Sequence, residues 1–297
     1  MAWRREQFSC RLRTRTLELG ETTRIMGILN MTPDSFSDGG RFFSVERAVD
    51  GALAMLDLGV DVVDLGGEST RPKAWPVTAE DELARVLPVL EGLMARRPDA
   101  VVSIDTYHAL TARRAVEAGA EIVNDVSGFS WDEAMAETCA ELECGVVLMH
   151  TRGRPGEWGE LPSLAKEEVL HAVIGGLRGC LKAAQAVGIP DERVVLDPGF
   201  GFGKMGVENY ALLAGLAELQ ALERPVLCGI SRKGFLARTI ERFYGDAGEL
   251  PPMEARGVVT QAANVASVLG GAHLLRVHDV RAAQEAVSVA DAILAAG

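Results

Sequence analysis

The sequence predicts a (β/α)8 barrel, also called a TIM barrel, carried in one domain. From residue 25 onward, short apolar runs of strand length alternate with longer stretches of helical period. Eight such pairs fit into roughly 270 residues, close to the usual barrel length of about 250. The runs also end, one after another, on polar or charged residues, as strands do where a barrel opens its mouth. The chain of 297 residues is 48% hydrophobic and 24% charged and has no Ser- or Pro-rich linker, so one continuous core is expected. The alternative is an open doubly wound sheet, but no G-x-G-x-x-G follows the first strand, which weakens its dinucleotide-binding form.

Residues 3–23 alternate loosely (F-S-C-R-L-R-T-R-T-L-E-L-G-E) and read as a hairpin capping the barrel. The expected division is therefore 1–23 for the cap and 24–297 for the barrel. The first apolar run, Ile25 to Leu29, ends at Asn30 and opens into a polar loop rich in Gly, Pro and Asp that runs to Gly40. Connections are usually about 2–6 residues, so a loop this long invites a function. Apolar residues at Val49, Leu53 and Leu56 then mark a helix over Val45 to Leu58, closed by Gly59.

Val60 to Leu65 is the second strand, interrupted by Asp61 and Asp64, and it leads into G-G-E-S-T-R-P at Gly66 to Pro72. A helix over Ala79 to Arg96 follows, then a strand Val101 to Ile104 ending at Asp105 and a helix Leu110 to Ala118. Ile122 to Val126 is a strand carrying Asn124 and Asp125, Asp132 to Glu143 a helix, and Gly145 to Met149 a strand ending at His150. A long helix, Ser163 to Val187, precedes a strand Val194 to Leu196 ending at Asp197. After a glycine-rich loop come a helix Val207 to Leu222 and a strand Pro225 to Ile230 ending at Ser231. A helix near Glu254 to Leu269, a strand Leu274 to Val277 and a helix Arg281 to Ala295 complete the eight pairs.

The net charge of -12 argues against a nucleic-acid or anionic-membrane surface, which needs clustered Lys and Arg. It does not exclude an anionic ligand, which feels the local field of its pocket. Cys10, Cys139, Cys144, Cys180 and Cys228 show no metal-binding spacing, and their sparse use fits a reducing cytosol. No secretory leader and no apolar run of about 18 residues is visible, so a cytoplasmic protein is expected.

Barrel chemistry collects at the C-terminal ends of the strands. Those ends present Asn30, Glu68, Asp105, Asn124, His150, Asp197, Ser231 with Lys233, and Arg276 with His278. Any one of these could simply open a loop or cap a helix. As a ring they suit a ligand with several N–H donors and a ring carbonyl. Asp197 heads D-P-G-F-G-F-G-K, whose glycines let the backbone approach a flat ring while Phe200 or Phe202 packs against it. Arg276 and His278 are two apart and share one strand face, so together they could hold a phosphate or pyrophosphate. The competing reading is that Arg276 pairs with a barrel carboxylate. His108, His171 and His273 read as surface or helix-edge residues without a role.

Seven blocks in fixed order give the chain a resemblance to the pterin-binding enzymes: N-M-T-P-D-S-F-S-D-G-G, D-L-G-G-E-S-T-R-P, S-I-D-T, N-D-V-S-G, D-P-G-F-G-F-G-K, G-I-S-R-K and R-V-H-D. The resemblance runs from about Ile25 to Val280. It implies condensation of 6-hydroxymethyl-7,8-dihydropterin diphosphate with 4-aminobenzoate in folate synthesis, by a homodimer using magnesium. It further implies that Asp105, Asn124, Asp197 and Lys233 bind the pterin. Asn30, Arg71, Arg276 and His278 would hold pyrophosphate, with magnesium near Asn30, and Thr70, Pro72, Phe202, Ser231 and Lys233 would border the aminobenzoate. The small-residue helix Gln261 to Gly271 is the candidate face for a twin subunit.

Departures from the family pattern are local. Lys73 and Trp75 stand in the second loop, and M-H-T-R-G-R-P-G-E-W follows the fifth strand; neither is expected to touch a residue assigned above. One rival is a pterin-dependent methyltransferase passing a methyl group to a corrinoid protein, which needs no diphosphate site. Another is a non-catalytic paralogue, against which the presence of Asn30, Arg71 and Lys233 counts.

Overall fold

The structure, a computed structural model, describes residues 5–31, 40–68, 77–244 and 251–297, apart from the side chains of 40–44. An antiparallel hairpin of β1 (Phe8–Arg11) and β2 (Thr16–Leu19) comes first. Eight strands then pair in parallel: β3 (Arg24–Asn30), β4 (Val62–Gly66), β5 (Val102–Asp105), β6 (Ile122–Asp125), β7 (Gly145–Met149), β8 (Val194–Asp197), β9 (Leu227–Cys228) and β10 (Leu274–Val277). Their order is β8-β7-β6-β5-β4-β3-β10-β9, and a bridge between Leu196 and Val226 joins the two ends, nearly closing the barrel.

Helices α1 (Gly40–Asp57), α2 (Ala79–Arg96), α3 (Ala109–Glu117), α4 (Met135–Leu142), α5 (Lys166–Ala186) and α6 (Val207–Ala214) connect β3 through β9. Two helices, α7 (Gly234–Ile240) and α8 (Arg256–Leu269), lie between β9 and β10, and α9 (Val280–Ala296) ends the chain. Local sequence explains the best-formed starts. The Thr78 hydroxyl accepts from the Asp81 N–H ahead of α2, with three acids in the first turn, and Asp279 caps α9 through the Ala282 N–H. Among the described residues no helix is long and apolar enough to cross a membrane.

The fold class agrees with the sequence reading, and several element bounds differ from it. Helix α7 was not foreseen, because seven residues are too few to show a helical period. The expected helix Val207 to Leu222 divides at Gly215 into α6 and a 3-10 turn. A Cβ on Gly215 would lie 2.1 Å from the Leu170 side chain, so a glycine here lets α5 pack closely. Helix α1 begins at Gly40 rather than Val45, and the seventh barrel strand keeps only two residues of the expected six.

Alternation along the strands builds the barrel interior in layers. The lower layer, Met26, Val62, Ile122, Val147, Val195, Leu227 and Leu274, is apolar and packs on Cys10, Leu12 and Leu19 of the hairpin segment. The hairpin therefore plugs the end of the barrel opposite the strand C-termini. Two residues further along the same strands the inward positions become Ile28, Asp64, Asn124, Met149, Asp197 and Arg276. That change from an apolar to a charged layer is what creates a mouth.

Candidate active site

Arg276 on β10 reaches across the barrel to two carboxylates. Its Nε donates to Asp64 Oδ2 at 2.6 Å and its Nη2 to Asp105 Oδ2 at 2.5 Å. Asn124 Nδ2 donates to the same Asp64 oxygen at 3.3 Å. Asp64 is fully buried, and its Oδ1 has no hydrogen-bond partner among the described residues. Burial pushes the Asp105 carboxyl up to about 7 while Arg276 pulls it down, and the guanidinium is itself held more firmly protonated by Asp64 and Asp105. The pairing of Arg276 with barrel carboxylates, offered as a competing reading from sequence, is thus present. Asp125 instead organises its own turn, accepting from the Ser127 and Phe129 N–H groups.

The second flank is the loop after β8. Gly199 has φ +69°, and a Cβ there would sit 2.0 Å from the His150 carbonyl oxygen, so only glycine fits. The tight turn sends the Gly199 N–H to Asp197 Oδ1 at 2.7 Å. It also brings three carbonyls, of Gly199, Phe202 and His150, within 2.8, 3.1 and 3.2 Å of Lys204 Nζ. Burial lowers the Lys204 ammonium to about 7 and raises the Asp197 carboxyl.

Lys233 follows Arg232, a non-glycine residue held at φ +58°, and its ammonium stands 4.0 Å from the centre of the Phe202 ring. Burial lowers Lys233 to about 8, against the pull of Asp197. Gly229 lies between Asp197 and Arg276: a Cβ there would stand 3.6 Å from Asp197 Oδ2 and 3.8 Å from Arg276 Cβ.

Asn30 ends β3 with an exposed side chain whose Oδ1 flanks Gly66, as does Asp105 Oδ2. Ser231 Oγ lies 3.0 Å from His278 Nδ1 and accepts from the His278 N–H at 3.3 Å. The structure therefore brings together Asp105, Asn124 and Arg276 on one flank, Asp197, Phe202 and Lys233 on the other, and Ser231 with His278 at the rim. Thr70, Arg71 and Pro72, with the departures Lys73 and Trp75 and the first polar loop over 32–39, lie outside the described residues.

Four expectations need correction. His150 belongs to the strand-end ring in sequence, but it packs against Gly176 of α5 and burial lowers it to about 3. His273 is buried rather than superficial. Its Nδ1 accepts from the Val226 N–H, which leaves the proton on Nε2 to face the Glu6 carbonyl. His108 is half-buried, with Nδ1 3.2 Å from Glu82 Oε2. The departure after the fifth strand does touch the site: Trp158 packs edge-on against Phe202 at 5.2 Å, and Arg152 donates to the Gly203 carbonyl.

Sequence reasoning also passed over Asp64 and Lys204. Asp64 had a readable sign, a carboxylate two residues beyond Val62 on the inward face. Nothing local told that Lys204 turns inward.

The mouth thus gathers buried carboxylates, an amide and buried cations at the C-terminal ends of the strands, where barrels place their chemistry. Comparison with known proteins makes the class specific. The pterin binding enzyme family matches residues 26–278. The chain is 38% identical over 278 residues to the dihydropteroate synthase of Synechocystis, covering 92% of this chain and 91% of that protein. It is 39% identical to the mitochondrial folate synthesis bifunctional protein of Pisum sativum, over 94% of this chain and 55% of that longer protein. Its fold is similar to that of the Xanthomonas albilineans dihydropteroate synthase solved with 4-aminobenzoic acid, with a TM-score of 0.85, 40% identity, and 97% of this chain and 99% of that one covered. The chain belongs to the pterin binding enzyme family, among the dihydropteroate synthases.

Proposed function

We propose that this chain is a transferase that joins 6-hydroxymethyl-7,8-dihydropterin diphosphate to 4-aminobenzoate, releasing 7,8-dihydropteroate and pyrophosphate in folate synthesis. The observation that carries the reading is the mouth itself, where Asp64 Oδ1 is a buried acceptor without a partner among the described residues, beside Asp105, Asn124 and Asp197. Leaving such an atom unpaired costs about 1–3 kcal/mol, which a ligand rich in N–H groups offsets. A dihydropterin is such a ligand. Asp105, Asn124, Asp197 and Lys233 bind it.

In the reaction a C–N bond forms between the aminobenzoate nitrogen and the exocyclic pterin methylene, the C–O bond to diphosphate breaks, and the amine proton passes to solvent or to the departing pyrophosphate. The pterin spreads the positive charge that develops on the methylene, so the protein's main task is to receive the leaving anion and exclude water. Arg276 uses two of its five N–H donors on Asp64 and Asp105, leaving others for phosphate oxygens. His278, held by Ser231, and Asn30 and Arg71 complete the anion site. Phe202 under Lys233, with Thr70, Pro72 and Ser231, borders the aminobenzoate. The exposed amide oxygen of Asn30 suits a magnesium ion, which binds one or two protein oxygens and keeps waters and phosphate oxygens as its other ligands. When bound, that ion neutralises charge on the diphosphate.

The test is pyrophosphate release with both substrates and with each omitted in turn. Release only when both are present supports the condensation, and release that ignores 4-aminobenzoate refutes it.

The same reading treats 24–297 as the catalytic barrel with 1–23 as its cap, working in the cytosol, where five free thiols are at ease. It also takes the chain as a homodimer. Helix α8 buries Ala263, Asn264, Ser267 and Val268 against its own barrel and exposes Val258, Ala262 and Ala266, one helical stripe of small apolar residues. Light scattering should give twice the 31.7 kDa chain mass, and a monomer mass alone would refute the dimer.

A further inference from the structure

On the rim beside β4, α2 and β5 lies a group of side chains that the proposed reaction does not use. Glu68 follows the end of β4, Glu82 sits in the first turn of α2, and His108 precedes α3. One carboxylate oxygen from each glutamate and one nitrogen of the imidazole lie within 4.8 Å of one another. Glu82 is the anchor, at only 1% exposure. A Cβ on Gly67 would lie 2.8 Å from Glu82 Cγ, so the backbone after β4 is pressed against this side chain.

Glu82 Oε2 already accepts from the Thr106 hydroxyl at 2.6 Å and faces His108 Nδ1 at 3.2 Å. Its other oxygen, Oε1, is buried with no hydrogen-bond partner among the described residues. Glu68 accepts from the Tyr107 hydroxyl at 3.1 Å, and both its burial and the nearby Glu82 charge disfavour its ionised form. Two carboxylates thus face each other with one half-buried imidazole as the counter-group, and an anchored acceptor oxygen has no partner among the described residues.

We propose that Glu68, Glu82 and His108 form a zinc site, separate from the proposed magnesium position at Asn30. A cation with two positive charges cancels the two carboxylates and satisfies the orphaned oxygen, which a single imidazolium cannot do. The donor set selects the metal. Imidazole nitrogen with carboxylate oxygens suits zinc, commonly held by three protein ligands with a fourth position open, whereas magnesium favours oxygen alone. Zinc bonds of about 2.0–2.2 Å draw the donors closer than their present spread. Side-chain rotations of the half-buried Glu68 and His108 bring this about while Glu82 stays fixed. The ion then ties the ends of β4 and β5 to the start of α2, fixing the point from which the second polar loop departs.

The experiment is a calorimetric titration of zinc chloride into the full chain after chelator treatment and dialysis, with cobalt(II) absorption as a second readout. The expected result is one zinc per chain, affinity reduced at least tenfold in both Glu82→Gln and His108→Ala, and affinity unchanged in Asn30→Ala. Cobalt(II) should give a visible-range band of low-coordinate geometry that His108→Ala abolishes. His108→Ala keeps the test valid if the buried Glu82→Gln variant fails to fold. A wild-type chain that binds no zinc, or a His108→Ala chain that binds it with wild-type affinity, overturns the site.

Discussion

On the β10 flank of the mouth the buried cation, Arg276, faces two carboxylates, Asp64 and Asp105. On the β8 flank the buried cation, Lys204, faces three backbone carbonyls contributed by a glycine-rich turn and by the residue after β7. The first arrangement pairs full charges, so the guanidinium proton is bound more firmly than usual. The second gives the ammonium carbonyl dipoles as its hydrogen-bond partners, and burial outweighs the opposing pull of the Asp197 charge, so the ammonium is lowered to about 7. A cation held by charges fixes three strands to one another, whereas a cation held by carbonyls fixes the shape of one loop. The difference assigns distinct parts to the flanks: β10, β4 and β5 form the rigid floor, and the loop after β8 forms a wall in which Lys204 gathers three carbonyls while Asp197, Arg152 and Asn209 hold other backbone groups of the turn.

Removing Arg276 should break this comparison most severely. Arg276→Ala strands two carboxylates in the barrel, and breaking a buried pair in this way costs about 3–5 kcal/mol. Urea denaturation should show that loss together with a collapse of pyrophosphate release; a stability change below about 1 kcal/mol would mean that solvent already screens the network.

The wall should respond less. Lys204→Met leaves carbonyls without their donor at about 1–3 kcal/mol and lets Phe202 shift under Lys233. Its diagnostic is pH. A lysine whose folded pKa is depressed leaves the unfolded chain with more bound protons above the folded value, so stability rises with pH there. From pH 7 to 9 the wild-type chain should gain stability through Lys204, joined by Lys233 from about pH 8. Unfolding measured at both pH values should show that gain, with a flatter profile in Lys204→Met; an identical slope would exclude Lys204 as its source.

Asp105 sharpens the floor. Asp105→Ala leaves Arg276 paired with Asp64, so the fold should survive while pterin affinity falls by about 1–3 kcal/mol. Unchanged affinity in calorimetry would remove Asp105 from the pterin site. The smallest effect is expected at Trp158, whose edge-on contact with Phe202 is worth about 0.5–1.5 kcal/mol beyond area burial. Trp158→Leu should raise the KM for 4-aminobenzoate a few-fold with kcat little changed, and an unaltered KM would detach the loop after β7 from that pocket.

Much of this was legible in the chain. Eight alternations of strand and helix gave the barrel because period is a local property of sequence, and the strand-end positions of Asp105 and Asp197 followed from where each apolar run stopped, whereas Lys233 lies five residues beyond the shortened β9, ahead of α7. Failures clustered where a residue's role depends on a remote neighbour. His150 ends a strand as the others do, yet packs against Gly176 of α5, twenty-six residues on. Trp158 looked like a loop departure and reaches Phe202. Helix α7 was too short to show its period.

The sequence by itself determined the barrel, the end of it that carries polar groups, and the family, because alternation, loop chemistry and ordered motifs are all written along the chain. Only the tertiary structure decided which charges meet. Asp64 and Arg276 are 212 positions apart, and the closed parallel order of the strands is what sets them face to face across the barrel. The energy of a buried charge depends on that encounter, on whether its counterpart is a carboxylate, a ring of carbonyls or nothing at all. No stretch of sequence holds both halves of the pair.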